Sequence, residues 1–321
     1  MVKTHLWRLA SGILVFLGSG IIQHAQADFD AAASSNLAMY WGQNSYGAVG
    51  SQEDLASYCT DSTNDIILMS FVTIFFGTDG LPVINLAGAC EGSYFEDSEL
   101  LDCPSLATDI ATCQENGKKI FLSLGGSSGS YGFSSDTEAE TFATTMWNIF
   151  GGGNSDTRPF GTAVIDGFDL DIEGGSSTGY SVFVTKMREY YDAYAEAGEK
   201  RMYISGAPQC PIPDSFLNDA MISSYFDFYF VQFYNNYCGI NFWEAGDSST
   251  TFNFAAWDTF AKSSGYNPDA KVYLGVPASA SAAGTGYVDI NTLSSAISEL
   301  ASTYSSFGGI MMWYVLTFIF L

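Results

Sequence analysis

Basic residues are scarce in this sequence. Its 321 residues include 11 Lys and Arg against 35 Asp and Glu, which gives a formal net charge of −24 at pH 7. Because so acidic a surface repels phosphate backbones, the charge argues against nucleic-acid binding. Charged residues are only 14% of the chain, whereas hydrophobic residues are 47% and aromatic residues 16%. This composition excludes an intrinsically disordered chain.

Histidine is scarcer still, and its placement is informative. Both histidines, His5 and His24, lie near the amino terminus, together with two basic residues and no acidic one. The same segment contains a short apolar run and ends in Ala-Gln-Ala at Ala27. A basic start, a short apolar run and small residues are typical of a secretory signal peptide, and the run is shorter than the ~18–20 residues of a membrane span. We therefore expect residues 1–27 to be a signal peptide and residues 28–321 to form a secreted chain that has no membrane span.

The expected mature chain contains no histidine at all. It keeps nine basic and 35 acidic residues, so its net charge becomes −26. The lack of histidine excludes Ser-His-Asp and Cys-His catalytic triads and every histidine-ligated metal site in this part of the chain. Any catalysis would have to use carboxylates, hydroxyls, amides and aromatic rings.

Cysteine occurs six times after the expected signal peptide, and no Cys-x-x-Cys pair is present. This spacing, without histidine, does not predict a zinc cluster. An even number of cysteines behind a signal peptide predicts three disulfides in an oxidising compartment, although spacing alone leaves 15 pairings open. The cysteines are Cys59, Cys90, Cys103, Cys113, Cys210 and Cys238.

Proline-rich linkers and low-complexity blocks are also absent, and short apolar runs alternate with amphipathic stretches. The apolar runs predict eight strands: Leu37–Trp41, Ile66–Phe71, Lys119–Leu124, Ala163–Ile172, Arg201–Ala207, Phe226–Tyr234, Lys271–Val276 and Gly309–Trp313. The amphipathic stretches predict helices: Leu106–Asn116, Asp136–Phe150, Tyr180–Ala197, Asn253–Ser264 and Asp289–Thr303. Together they predict an α/β fold, a single-domain (β/α)8 TIM barrel. A doubly wound sheet is the alternative, but no glycine-rich nucleotide turn follows the first strand.

The most informative segment is an acidic strand at residues 164–175, which read VIDGFDLDIEGG. Side chains in a strand alternate between faces, so three carboxylates share one face: Asp169, Asp171 and Glu173. The opposite face is apolar: Phe168, Leu170 and Ile172. In a barrel the apolar face packs under helices, and the acidic face points inward.

Three carboxylates inside a barrel resist joint ionisation, so one of them is expected to hold a proton with a raised pKa. Glu173 is the last of the three and lies nearest the barrel mouth, which makes it the candidate general acid. A solvated strand face and a Ca²⁺ or Mg²⁺ site remain open as alternatives at this point.

The acidic strand resembles the signature of glycoside hydrolase family 18, from Asp166 to Glu173. Other segments resemble the family's plant and fungal class III chitinase branch, in matching order along the chain. They are Tyr40-Trp41-Gly42-Gln43-Asn44, Ile84-Asn85-Leu86-Ala87-Gly88, Ala207-Pro208-Gln209-Cys210-Pro211 and Gln232-Phe233-Tyr234-Asn235-Asn236. Ser123-Leu124-Gly125-Gly126, at the end of the third predicted strand, resembles the second motif of family 18. The resemblance covers roughly Leu37 to Trp313.

The resemblance implies substrate-assisted catalysis, in which the sugar's own 2-acetamido group attacks the anomeric carbon and no carboxylate acts as nucleophile. It implies that Glu173 is the proton donor and later the base, and that Asp171 orients the acetamido group. It places Asp169 beneath Asp171, where it tunes Asp171 and shares its proton, and it makes Tyr234 a donor to the acetamido oxygen.

The resemblance also implies the sugar-binding residues. Trp313 would form the floor of the cleavage subsite, and Tyr40 and Phe71 would line the donor side. Gly126 would bring backbone close to the sugar, and Gln232 would face the barrel interior with Tyr234. Asp166 is expected to support the start of the strand. The implied disulfides are Cys59–Cys113, Cys90–Cys103 and Cys210–Cys238.

The resulting expectation is a secreted, monomeric endochitinase that hydrolyses β-1,4 bonds between N-acetylglucosamine units of chitin or chito-oligosaccharides. No metal and no cofactor is expected. Two alternatives stay open: a non-catalytic, lectin-like chitin-binding barrel, and an endo-N-acetylglucosaminidase. Non-catalytic relatives typically lose the glutamate that is present here as Glu173.

The chain departs from the family after Trp313, where the resemblance implies a polar loop and an eighth helix. Residues 314–321 read YVLTFIFL, which is apolar but too short to span a bilayer. A truncated end that leaves the eighth helix incomplete is the expectation for this segment, and a lipid-anchor signal is the alternative.

Overall fold

The computed structural model describes residues 29–44, 52–60 and 62–313. The expected signal peptide at residues 1–27 and the apolar tail at residues 314–321 lie outside these ranges. Within them, every helix is too short or too polar to cross a bilayer.

Eight parallel strands form a closed barrel, as the sequence predicts. The strands, with a short additional one, are β1 (Asn36–Trp41), β2 (Ile66–Ile74), β3 (Val83–Ile84), β4 (Lys119–Gly126), β5 (Gly167–Ile172), β6 (Tyr203–Gly206), β7 (Phe228–Gln232), β8 (Lys271–Pro277) and β9 (Phe307–Trp313). Strand β1 pairs with both β2 and β9, which closes the barrel. The short β3 is antiparallel to β2 and lies outside the ring of eight.

Helices connect the strands. They are α1 (Leu55–Tyr58), α2 (Leu106–Glu115), α3 (Asp136–Phe150), α4 (Tyr180–Glu196), α5 (Asn218–Ser223), α6 (Phe254–Ser263) and α7 (Ile290–Thr303). Two of the longer helices begin at side-chain caps, because Ser135 accepts the Glu138 N–H and Asp289 accepts the N–H groups of Asn291 and Thr292. The five longest match the predicted helices to within a residue or two. The prediction misses α1 and α5, which are too short to show a helical period.

The predicted strand Ala163–Ile172 is too long, since β5 begins only at Gly167. The Val164 carbonyl, three residues before β5, accepts hydrogen bonds from side chains instead of a strand partner. Gln114 and Lys200 donate to the Val164 carbonyl at 2.8 and 2.6 Å. Such contacts depend on the tertiary fold, so strand propensity alone could not reveal the late start. The other predicted strands differ only by a few residues at their ends.

The barrel interior is aromatic towards the amino-terminal ends of the strands. The rings of Phe121, Tyr203 and Phe228 stack on one another there, with centroids 5.5–6.3 Å apart. Phe29 contacts Tyr203 and Phe228 edge-on from outside the strands, at 5.5 and 6.1 Å. The polar side chains of the barrel interior therefore lie at the carboxyl-terminal ends of the strands.

Three disulfides hold the loops and helices around the barrel, and they join the pairs that the resemblance implies. They are Cys59–Cys113, Cys90–Cys103 and Cys210–Cys238. The last of these connects the loops that follow β6 and β7. It therefore braces the backbone beside Gln232.

Candidate active site

Strand β5 places the carboxylates of Asp169, Asp171 and Glu173 at the carboxyl-terminal end of the barrel. Asp169 and Asp171 lie within the strand, and Glu173 follows its last residue. The alternate residues pack outward into the core beneath the helices, where the Phe168 ring contacts Phe183 of α4 at 6.4 Å. The predicted division of the strand into an inner acidic and an outer apolar face is confirmed.

Gly125 allows the strand beside β5 to come close enough at this point. It is opposite Asp171 in the sheet and has a φ of +110°. A Cβ atom there would lie 2.1 Å from the Asp171 carbonyl oxygen. Because no other residue fits this space and conformation, the glycine fixes the spacing of β4 and β5 beneath the site.

Asp169 is fully buried and accepts hydrogen bonds from three hydroxyl groups. Tyr40 and Ser123 donate to its Oδ2 at 2.9 and 2.6 Å, and Ser205 donates to its Oδ1 at 2.7 Å. Burial raises the pKa of Asp169, whereas the three hydroxyl donors oppose that rise. Among the described residues, no group of three or more His, Cys, Asp or Glu side chains is arranged to hold a metal ion.

Asp171 and Glu173 lie next to each other at the barrel mouth. Both carboxyl groups accept a hydrogen bond from Gln232 Nε2, and they are close enough for the charge of Glu173 to act on Asp171. Burial raises the pKa of Asp171 well above its usual range, and the charges of Glu173 and Asp169 add to the effect. Burial also raises the pKa of Glu173. Two neighbouring carboxyl groups with raised pKa values favour a single shared proton, so the pair can hold a proton at a higher pH than an ordinary carboxyl group.

Gln232 at the end of β7 holds this pair in place. Its Nε2 donates to Asp171 Oδ1 at 2.8 Å, to Glu173 Oε1 at 3.4 Å and to the Ala207 carbonyl at 3.1 Å. Asp171 is 3% exposed, whereas Glu173 is half-buried and reaches the mouth. Of the two carboxyl groups, Glu173 is therefore the one more accessible to a molecule entering the barrel.

Three aromatic rings form a wall beside the carboxylates. Tyr40, Phe71 and Trp313 contact one another with centroids 5.2–5.9 Å apart. Tyr40 and Phe71 are almost completely buried, at 3% and 5% exposed, while Trp313 is half-buried. Gly126 has a φ of +89°, and a Cβ atom there would lie 3.0 Å from the Phe71 ring. The structure thus brings four of the five predicted sugar-binding residues together, with Trp313 as the most accessible ring; the fifth is Gln232, which contacts the carboxyl groups.

Tyr234 lies two residues beyond the end of β7 and is 6% exposed. The loop before α7 packs closely against it, because a Cβ atom at Gly286 would lie only 2.5 Å from the Tyr234 Cβ. Because Gln232 and Tyr234 lie two positions apart, the alternation of side chains along a strand predicts that both face the barrel interior. The structure places Tyr234 within the same mouth, at the base of two loops.

Several residues around the site were missed by the sequence analysis. Ser205 donates to Asp169, and Asp214 accepts the backbone N–H groups of Gln209 and Leu217 at 3.0 and 2.7 Å. Tyr131 lies against the backbone of Glu173. The inward parity of β6 could have indicated Ser205, but Tyr131 and Asp214 lie in loops, where no period indicates a contact.

Residues 36–314 match the sequence model of glycosyl hydrolases family 18. The chain belongs to this family. It is 46% identical over 305 residues to Chitinase 2 of Rhizopus oligosporus, an alignment that covers 95% of this chain and 53% of that protein. It is 49% identical over 287 residues to the Endochitinase of Saccharomyces cerevisiae, covering 89% and 47%. The chain thus spans about half the length of these curated relatives.

A solved chitinase structure has the same fold. The chitinase ICChI of Ipomoea carnea superposes with a TM-score of 0.71 at 31% identity, covering 87% of this chain and 94% of that one. The fold around β5 is therefore shared with a protein that is named a chitinase.

Proposed function

We propose that the protein is a chitinase that hydrolyses β-1,4 bonds between N-acetylglucosamine units, with endo action and retention of configuration. The observation that carries the proposal is the placement of Asp171 and Glu173 around Gln232 Nε2 at the mouth of a family 18 barrel, beside the aromatic wall of Tyr40, Phe71 and Trp313. The names of the two fungal relatives, a chitinase and an endochitinase, support this substrate class.

Glu173 would act first as the general acid. It gives its proton to the glycosidic oxygen while the bond from that oxygen to the anomeric carbon breaks. The carbonyl oxygen of the substrate's own 2-acetamido group forms the new bond to that carbon and yields a cyclic oxazolinium ion. Water then attacks the same carbon, Glu173 takes the water's proton, and the acetamido group is released. Two successive inversions leave the configuration unchanged.

The neighbouring residues would serve the acetamido group. Asp171 accepts its N–H and offsets the positive charge of the cyclic ion, which a carboxylate stabilises in a dry site. Tyr234 donates its hydroxyl to the acetamido oxygen. Asp169 lies beneath Asp171 and raises its proton affinity through its negative charge.

The sugar ring itself would be held by its apolar face. The half-buried ring of Trp313 forms the floor, and the backbone at Gly126 lets the sugar approach β4. Tyr40 and Phe71 are too deeply buried to offer a large surface, so they support Trp313 and border the donor side. Gln232 orients both carboxyl groups towards the bound sugar.

The proposal includes secretion after cleavage at Ala27, as a monomer that needs no metal or cofactor. The amino-terminal sequence pattern and the three disulfides support an oxidising compartment. Sequencing the amino terminus of secreted protein should give Asp28 as the first residue. Size-exclusion chromatography of that protein should give the mass of one chain.

One assay separates the proposal from its alternatives. Wild type and Glu173→Gln are given chito-oligosaccharides and a high-mannose glycopeptide, with Glu189→Gln as the control, because Glu189 is an exposed glutamate on α4. Loss of the general acid should lower kcat by about 10²–10⁴-fold, whereas the control should match wild type.

Each other outcome overturns a defined part of the proposal. Full activity of Glu173→Gln refutes the assignment of the acid. Wild type that binds chitin without cleaving it favours a lectin-like barrel. Cleavage of the glycopeptide alone favours an endo-N-acetylglucosaminidase.

A further inference from the structure

Tyr131 connects two strands of the barrel at the catalytic end. It lies in the loop that follows β4, and its hydroxyl group makes two hydrogen bonds. The hydroxyl donates to the Gly126 carbonyl at 2.5 Å, and its oxygen accepts the Glu173 N–H at 3.3 Å. The hydroxyl is therefore a bridge between the last residue of β4 and the proposed general acid.

The bridge stands where the pairing of the two strands stops. Gly126 and Ile172 are the last partners in the register of β4 and β5. Glu173 follows β5 directly, so its N–H would be the next group to seek a partner from β4. The Tyr131 hydroxyl takes the place between this N–H and the Gly126 carbonyl, and it extends the ladder by one residue.

The Tyr131 ring is held firmly enough to keep this hydroxyl in place. It is half-buried, and it packs against Phe75 with centroids 5.7 Å apart. The turn after Glu173 lies beside it, since a Cβ atom at Gly174 would be in ordinary van der Waals contact with the Tyr131 hydroxyl, at 3.8 Å. The contact with Phe75 and the two hydrogen bonds thus place the hydroxyl beside the backbone of Glu173.

We infer that Tyr131 is a positioning residue for catalysis: its hydroxyl anchors the backbone of Glu173 so that the carboxyl group stays aligned with Asp171 and Gln232. The inference rests on the proposed function of Glu173. Tyr131 acts through Glu173 and is given no contact with the sugar. Without the anchor, the residue after β5 pivots freely, and a catalytic group displaced by a fraction of an ångström loses much of its effect.

Tyr131→Phe tests the inference because it removes the hydroxyl and keeps the ring. We expect kcat to fall by about tenfold to a hundredfold, with KM within about twofold and the melting temperature unchanged. The alkaline limb of the pH–kcat/KM profile should move to lower pH, because a looser Glu173 interacts less with Asp171 and the pair then loses its shared proton at a lower pH. The Glu173 amide should exchange its hydrogen faster.

Tyr190→Phe is the matched control, because the Tyr190 hydroxyl makes one hydrogen bond to Thr144 on the outside of the barrel, at 2.9 Å. It should leave kcat and the pH profile unchanged. The inference is overturned if Tyr131→Phe keeps the wild-type kcat and pH profile, or if the Glu173 amide exchanges as in wild type. A wild type that does not cleave chito-oligosaccharides refutes the proposed function instead, and the amide exchange then decides the anchoring role alone.

Discussion

The two ends of the barrel satisfy their buried carboxylates in different ways. At the amino-terminal end, Asp166 forms an ion pair with Lys200 at 2.9 Å. Asp227 forms ion pairs with Arg188 at 2.6 Å and with Arg201 at 3.0 Å. Each of these carboxylates is almost fully buried and has a positive partner.

At the carboxyl-terminal end, the carboxylates are satisfied by neutral groups. Asp169 accepts three hydroxyl donors, and Asp171 and Glu173 accept the amide of Gln232. Among the described residues, no Lys or Arg forms an ion pair with any of these three. The sequence explains this, because none of the nine basic residues after residue 27 lies in a loop that directly follows the carboxyl-terminal end of a barrel strand.

The difference shows how one fold obtains both structural and reactive carboxylates. A nearby cation favours the ionised form, so a paired carboxylate stays charged and ties loops together. Neutral hydrogen-bond donors offset less of the cost of burying an ionised carboxylate than a cation does. Carboxylates close to one another also raise each other's proton affinity. A carboxyl group of that kind holds a proton, which is the property that a general acid requires.

The largest effect on kcat should come from Asp171→Asn, which removes a carboxylate from the carboxyl-terminal end of the barrel. The variant can no longer offset the positive charge of the cyclic intermediate, so kcat should fall by about 10²–10³-fold. Its free energy of unfolding at pH 7 should be equal to or above that of wild type, because the variant no longer has a buried carboxyl group that is repelled by the charges of Glu173 and Asp169. Steady-state kinetics and urea unfolding at pH 7 check both expectations. A large loss of stability would place Asp171 with the structural carboxylates.

Asp227→Asn removes a carboxylate from the paired end and should have the reverse effect. It leaves the guanidinium of Arg188, which is 16% exposed, without its partner. Breaking a buried pair in this way should lower the free energy of unfolding by about 3 kcal/mol. The kcat per folded molecule should stay within about twofold of wild type, measured below the melting transition. A strong fall in kcat with unchanged stability would remove the distinction between the two ends.

A smaller effect is expected on the pH dependence of stability. The pKa of Asp171 is raised in the folded state, so this group binds a proton more tightly when folded than when unfolded. Its contribution to stability is therefore present at low pH and is lost as the pH rises through the folded pKa. The slope is at most about 1.4 kcal/mol per pH unit. Urea unfolding between pH 4 and 8 should show a slope in wild type that becomes shallower in Asp171→Asn; equal slopes would argue against the stored proton.

The inner acidic face of β5 could be predicted from the sequence, because the alternation of Asp169, Asp171 and Glu173 with apolar residues follows directly from strand geometry. The closed barrel followed from the regular alternation of strand and helix signals. The roles of the individual side chains at the site came from the family resemblance and remain predictions.

Contacts between distant segments could not be predicted in the same way. The Tyr131 hydroxyl meets Glu173 across 42 residues of sequence, and Ser205 meets Asp169 across 36. Each contact depends on how two loops or strands lie after the barrel closes. The late start of β5 has the same origin, because the side chains of Gln114 and Lys200 donate hydrogen bonds to the Val164 carbonyl, which an extended strand would have paired with its neighbour.

We infer that Asp171 and Glu173 share a stored proton at the carboxyl-terminal end of the barrel. A ¹³C NMR titration of protein labelled at the side-chain carboxyl carbons of Asp and Glu tests it most directly, with Asp171→Asn and Glu173→Gln used to assign the two signals. We predict that the pair titrates in two linked steps, one of them well above about 4.3, the ordinary value for glutamate. If both carboxyl groups titrate independently in the ordinary range, Asp171 and Glu173 do not share a proton.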